Sequence, residues 1–95
     1  FYAEHASMQE NLAAPRVGKD ALLKYEHAAQ ASVTNLKSTC VRPVLVSGNT
    51  AVVRWVIEYM SKVGRAVRFE ELAYQRWEGE LIVHEQFFYD PAQFR

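Results

Sequence analysis

Ser47-Gly48-Asn49-Thr50, followed by Ala51-Val52-Val53-Arg54-Trp55-Val56-Ile57-Glu58-Tyr59-Met60, is the stretch that decides the fold class. Gly-Asn supports the positive φ angles of a tight turn, so the segments on either side are predicted to pair as a hairpin. After the turn, strand alternation puts Val53, Trp55, Ile57 and Tyr59 on one continuous apolar face. The other face carries Val52, Val56 and Met60 beside Arg54 and Glu58, so it too is partly apolar. A small sheet with two apolar faces needs cover on both. A helix can supply one cover. A second copy of the chain, docked on the outer sheet face as a homodimer, is the simplest source of the other.

Working outward, Leu36 to Ser47 reads as extended, with Pro43 marking a bulge or an edge position because proline donates no ladder hydrogen bond. Downstream, a looser turn at Lys62-Val63-Gly64-Arg65 leads to a strand over Ala66 to Trp77. Glu78-Gly79-Glu80 then turns into a last strand, Leu81 to Tyr89, ended by Asp90-Pro91. Upstream, Lys19 to about Ala31 is predicted to be helical: Ala21, Leu22, Tyr25, Ala28 and Ala29 fall on one stripe, and Gly18 can cap its start. Ala6 to Asn11 is predicted to be a short strand, and Phe1 to His5 the tail of a helix. The residues thus predict one α+β domain over 1–95, a helix followed by an antiparallel meander.

The composition excludes several classes. With 49% apolar and 23% charged residues the chain is neither disordered nor membrane-like. Eleven basic residues balance eleven acidic ones, so there is no basic footprint for nucleic acid, and near-zero net charge favours self-association. No apolar run reaches the ~20 residues of a membrane span, and no secretory signal is visible. The single cysteine, Cys40, cannot pair within the chain, which fits a reducing, cytoplasmic setting. It reads as a small buried hydrophobe. The chain begins at Phe1 rather than Met, which points to a preceding segment.

There is no phosphate-binding glycine loop, nucleophile elbow or cysteine pair for zinc, and His5, His27 and His84 lack metal-ligand spacing. Neither a metal nor a cofactor is expected. More informative are acids set within apolar strands: Glu10, the adjacent Glu70 and Glu71, and Glu85. Alternation sends Glu70 and Glu71 to opposite faces, so one of them lies on whichever face lines the interior. On the last strand Val83, Glu85, Phe87 and Tyr89 share the face favoured as pocket-facing. A desolvated carboxylate there rises in pKa and can act as an acid or base near neutrality. The competing reading is an edge carboxylate paired with Arg54, Arg68 or Arg76.

Phe1-Tyr2-Ala3-Glu4-His5-Ala6-Ser7-Met8-Gln9-Glu10-Asn11, then Pro15-Arg16-Val17-Gly18-Lys19-Asp20-Ala21-Leu22, resembles the start of ketosteroid isomerase-like and SnoaL-like proteins. Gln75-Arg76-Trp77-Glu78-Gly79-Glu80-Leu81-Ile82-Val83, closing on Phe88-Tyr89-Asp90-Pro91, resembles their final hairpin. The resemblance covers nearly the whole chain. It implies the nuclear transport factor 2-like fold, a cone of strongly curved antiparallel sheet enclosing a pocket, here without the family's first helix. It also implies that Glu10 stands where the isomerases place their proton-shuttling aspartate. Their second, protonated acid falls at Ala73, which has no donor; Glu71, on the same strand face, is a substitute. Two functions follow. One is a module that binds a small apolar molecule, with Trp55, Tyr59, Glu85, Phe87 and Tyr89 as lining. The other is an acid–base enzyme of the isomerase, cyclase or hydrolase kind, with Glu10 as base and Glu71, His84 or Glu85 as partner.

Overall fold

The structure, a computed structural model, describes residues 1–94. The chain runs β1 (Tyr2–Glu10), β2 (Arg16–Val17), α1 (Lys19–Ala31), β3 (Val33–Ser47), β4 (Thr50–Ser61), β5 (Ala66–Glu78) and β6 (Leu81–Phe88), and a 3-10 turn follows at Pro91–Phe94. The strands form one curved six-stranded sheet in the order β2-β1-β6-β5-β4-β3. The β3–β4–β5–β6 meander and its turns lie where the sequence predicts them, each boundary moving by three residues at most. At the β3–β4 turn Gly48 has φ 56°, the positive angle that a tight hairpin needs.

The ladder between β4 and β5 is unbroken from Thr50↔Arg76 to Met60↔Ala66. Regular pairing over this length holds Val53, Trp55, Ile57 and Tyr59 on one face, with Ala73, Glu71 and Phe69 beside them. The β3–β4 ladder, by contrast, shifts register twice, between Thr34 and Lys37 and between Val41 and Leu45. Pro43 sits in the second shift, on the sheet's edge strand, where its missing N–H disrupts least.

Two expectations are corrected at the N-terminus. Phe1 to His5 is not a helix tail: Tyr2 onward belongs to β1, and Ile82 donates its N–H to the Phe1 carbonyl at 2.7 Å. The sheet is also mixed rather than wholly antiparallel, because β1 runs parallel to β6. The pairing of β1 with β6 carries a register shift between Tyr2 and Ser7. The shift buries both Ala3 and Ala6, three positions apart, and so breaks the two-residue period.

The helix begins and ends as expected, with Gly18 at its N-cap (φ 98°) donating its N–H to the Ala6 carbonyl at 2.8 Å. That bond ties the start of α1 to β1. Leu22 is fully buried and packs with Ala3, Ala6, Met8 and Val83, against which Tyr2 and Phe87 also lie. The rest of the predicted stripe is less covered: Ala21, Ala28 and Ala29 are exposed, because the backbone of α1 runs close only to β1, β2 and β3. Cys40 is likewise exposed rather than buried, since β3 is an edge strand open along most of its length. Among the described residues no helix is long and apolar enough to cross a membrane.

Candidate functional site

The face of the sheet that receives α1 is the inner face. Register assigns its polar members: Met8 stands opposite Glu85, Gln75 opposite Glu85, and Trp55 opposite Glu71. Glu10, Glu71 and Glu85 therefore all belong to the inner face, each supplied by a different strand. Glu70 turns outward and pairs with Arg54, which is the solvated ion pair that the competing reading anticipated. His84 also turns outward, its Nδ1 2.6 Å from the Ser7 hydroxyl. Alternation along β6 thus separates His84 from the carboxylates it was expected to assist.

Each inner glutamate has a distinct setting. Glu10 pairs with Arg16 at 3.4 Å and accepts hydrogen bonds from the Tyr25 hydroxyl at 3.1 and 3.2 Å. The Arg16 guanidinium lies 3.5 Å from the centre of the Tyr25 ring, so one cation serves a carboxylate and an aromatic face together. Glu85 is only 3% exposed. Tyr2 donates its hydroxyl to Glu85, Gln75 donates Nε2 at 2.6 Å, and Trp77 donates its indole N–H to the Gln75 carbonyl at 3.2 Å. Burial raises the Glu85 pKa, and the two donated hydrogen bonds partly offset it. The Glu71 side chain makes no hydrogen bond or ion pair among the described residues. Burial first, then the charges of Glu85 and Glu10, push its carboxyl up from 4.5 to about 7.

The tyrosines around these acids are held in the protonated, donating form. Tyr2 is raised by burial and by Glu85, Tyr25 by burial and Glu10, and Tyr89 by burial, then Glu10, Tyr25 and Glu71. Beside α1 the inner face opens into a cavity of about 360 Å³ lined by Glu10, Tyr25, Ile57, Tyr59, Phe69 and Tyr89 among others. Phe69 is the hub of its aromatic wall, with ring centres 6.4 Å from Tyr59, 6.3 Å from Tyr89 and 4.8 Å from Phe94. A second hollow of about 400 Å³ lies toward the Gly48 turn, against Val46, Ala51, Val53, Gln75 and Trp77. No group of three or more metal-ligating side chains exists among the described residues.

Of the residues singled out from the sequence, Glu10, Tyr59 and Tyr89 line the helix-side cavity, and Trp55 and Glu71 continue the same face. Glu85 is buried on that face and does not line the cavity, and Phe87 packs against the Leu22 cluster. Sequence reasoning missed Tyr2, Arg16, Tyr25 and Phe69. Tyr25 was visible as a stripe residue three positions after Leu22, and Phe69 as the alternation partner of Glu71. Tyr2 was hidden by the register shift in β1.

The raised Glu71 has a thermodynamic consequence. The folded chain keeps a proton that the unfolded chain releases between pH 4.5 and about 7, so stability falls as pH rises through that window and levels off above it. Replacing Glu71 by Gln removes this slope. In urea titrations the stability of Glu71→Gln relative to the native chain should rise by on the order of 1–2 kcal/mol from pH 5 to 7.5, after discounting for partial solvent exposure. A difference that stays constant with pH would show that Glu71 titrates as an ordinary carboxylate.

No curated protein matches the chain by sequence. Among solved structures, a SnoaL-like polyketide cyclase candidate from Jannaschia sp. CCS1 superposes with a TM-score of 0.89 at 11% identity, covering 98% of this chain and 69% of its own. A nuclear transport factor 2-like protein of unknown function from Burkholderia pseudomallei gives 0.84 at 15% identity, with 98% and 76% covered. A second polyketide cyclase candidate, from Mesorhizobium loti, gives 0.77 at 20% identity, with 94% and 79% covered. At such identities the likeness carries the fold alone. Sequence matching adds the family: residues 1–85 match the SnoaL-like domain, and the chain belongs to the SnoaL-like family of the nuclear transport factor 2-like fold.

Proposed function

We propose that this chain binds a small, largely apolar molecule in the helix-side cavity of its inner face. The observation that carries the reading is a hollow of about 360 Å³ walled by Ile57, Tyr59, Phe69 and Tyr89, with Glu10, Tyr25, Gln30 and Ser32 as its polar members. Apolar walls with few polar groups are the usual make-up of small-molecule sites. Aromatic walls supply most of the binding energy, and Glu10 with the Tyr25 and Tyr89 hydroxyls sets orientation. A panel of small lipophilic compounds tests this by thermal denaturation. A binder present at about tenfold its Kd adds about 1.4 kcal/mol and raises Tm by roughly 6–11 °C in a chain this short. Its contacts should appear as NMR shifts at Ile57, Phe69 and Tyr89; shifts confined to the outer face would place binding elsewhere and end the proposal.

A second reading, acid–base catalysis, is favoured by one observation: Glu71 is half-buried and poised near neutrality, where both protonation states are populated. Glu71 then suits proton transfer better than Glu10, whose carboxylate is already engaged by Arg16 and Tyr25. The carboxylate would take the proton next to a bound carbonyl, leaving an enolate, and return it from the resulting acid. In D2O, a bound enolisable ketone should exchange deuterium about 10²-fold or more faster with the native chain than with Glu71→Gln. Equal exchange removes Glu71 as a base.

The outer face supports a homodimer. Leu45, Leu72, Tyr74 and Phe88 are 60%, 45%, 42% and 42% exposed there, and register makes them neighbours through Val52 and Arg54. A contiguous apolar patch on a sheet is the ordinary mark of an interface. Light scattering should give twice the 10.9 kDa chain mass, and Leu72→Glu should halve it; a 10.9 kDa species at high concentration defeats the dimer.

A further inference from the structure

We infer that the 3-10 turn at Pro91–Phe94 sets how long a molecule the helix-side cavity accepts: Phe94 is the wall that stops it, and Gln93 is the residue that positions Phe94. The inference rests on the reading that this cavity binds small molecules, and adds what limits their size.

The first support is a stretch of backbone that β6 does not reach. The pairing of β5 with β6 ends at Leu72↔Phe88, where β6 itself ends. Beyond that point the N–H and C=O groups on this side of β5 have no strand to bond, and such groups need a partner. Gln93 supplies one at Glu70. Its side-chain oxygen accepts the Glu70 N–H at 2.8 Å, and its Nε2 donates to the Glu70 carbonyl at 3.0 Å. One carboxamide, acceptor and donor together, thus stands where a residue of a neighbouring strand would. The turn is braced at its start as well. The Asn11 side chain accepts the Tyr89 N–H at 3.0 Å. Asp90 accepts the Ala92 N–H through its carboxylate at 2.9 Å and the Gln93 N–H through its carbonyl at 3.1 Å.

The second support is where this leaves Phe94. The Glu70 side chain points outward to Arg54, so its neighbour Phe69 is on the inner face. Latched at Glu70, the turn lays the Phe94 ring 4.8 Å from Phe69 and edge-on to Tyr89 at 5.7 Å. Phe94 therefore lines the helix-side cavity, and the turn contributes no other lining residue. At 38% exposed, the ring is held only weakly by burial, and the Gln93 bonds decide where it stands. Removing the ring extends the hollow along Phe69 and Tyr89.

Two phenols test the inference: 4-ethylphenol, and 4-phenylphenol, which is longer by most of a ring. Affinities are read from NMR titration of the Ile57 methyl signals. The expected result is that Phe94→Ala raises the affinity for 4-phenylphenol relative to 4-ethylphenol by about tenfold or more, with Phe94→Leu between it and the native chain. Gln93→Ala leaves every lining side chain in place. It should move the same ratio in the same direction by about threefold or more, and weaken the ring-current shift of Phe94 on the Phe69 protons. A mere loosening of the fold would lower both affinities together and leave their ratio alone. A ratio unchanged in both Phe94 variants overturns Phe94 as the wall, and a ratio and ring-current shift unchanged in Gln93→Ala overturn its positioning role. If panel compounds bind the cavity and neither phenol does, even in Phe94→Ala, the size limit is overturned and the small-molecule reading stands. If nothing binds there at all, the small-molecule reading falls and the size limit with it; the ring-current shift in Gln93→Ala then still decides whether Gln93 positions Phe94.

Discussion

The unbroken pairing of β4 with β5 is the constraint on which the site depends. Eleven consecutive residue pairs run from Thr50↔Arg76 to Met60↔Ala66 without a shift. A slip of one residue would exchange the two faces of whichever strand moved. If β4 slipped, Trp55 and Ile57 would leave the interior and Arg54 and Glu58 would enter it; if β5 slipped, Arg68 and Glu70 would replace Phe69 and Glu71. Desolvating two charges costs several kcal/mol for each ion, more than this small fold has to spare. The same alternation that buries the aromatic wall thus fixes Glu71 inside and Glu70 outside, although the two are adjacent in sequence.

The three inner glutamates show how environment divides one residue type into different roles. Glu85 is enclosed but held by donors from Tyr2 and Gln75. Glu10 is compensated by a guanidinium. Glu71 has neither kind of partner; burial, and then the charges of Glu85 and Glu10, retain its proton to about pH 7. Its behaviour comes from three strands brought together by folding.

Much of this was legible in the sequence because the informative strands are regular. The Gly48-Asn49 turn and the Val53, Trp55, Ile57, Tyr59 period gave the hairpin and its inner face, and the adjacency of Glu70 and Glu71 showed that one of them must be interior. What escaped lies where regularity fails. The shifted register of β1 hid Tyr2, and with it the main donor to Glu85. The parallel pairing of β1 with β6 joins the first and last strands, a contact that no local pattern encodes. Alternation favoured the Glu85 side of β6 over the His84 side without deciding between them; which side faces α1 depends on the register of β6 with Met8 and Gln75.

Pro43 has one more effect, on how the chain behaves in a crowd. β3 closes the sheet with a free edge, and Val44, Leu45 and Val46 are 42%, 60% and 70% exposed along it. A flat edge of that kind invites another strand to add itself, and from there fibrous stacking. Proline offers no N–H to an incoming strand, and the shifted register around it bends the edge out of line. With Arg42 before it, the segment that is most apolar is also guarded at its start, so the protein keeps a sticky border without presenting a continuous template for its neighbours.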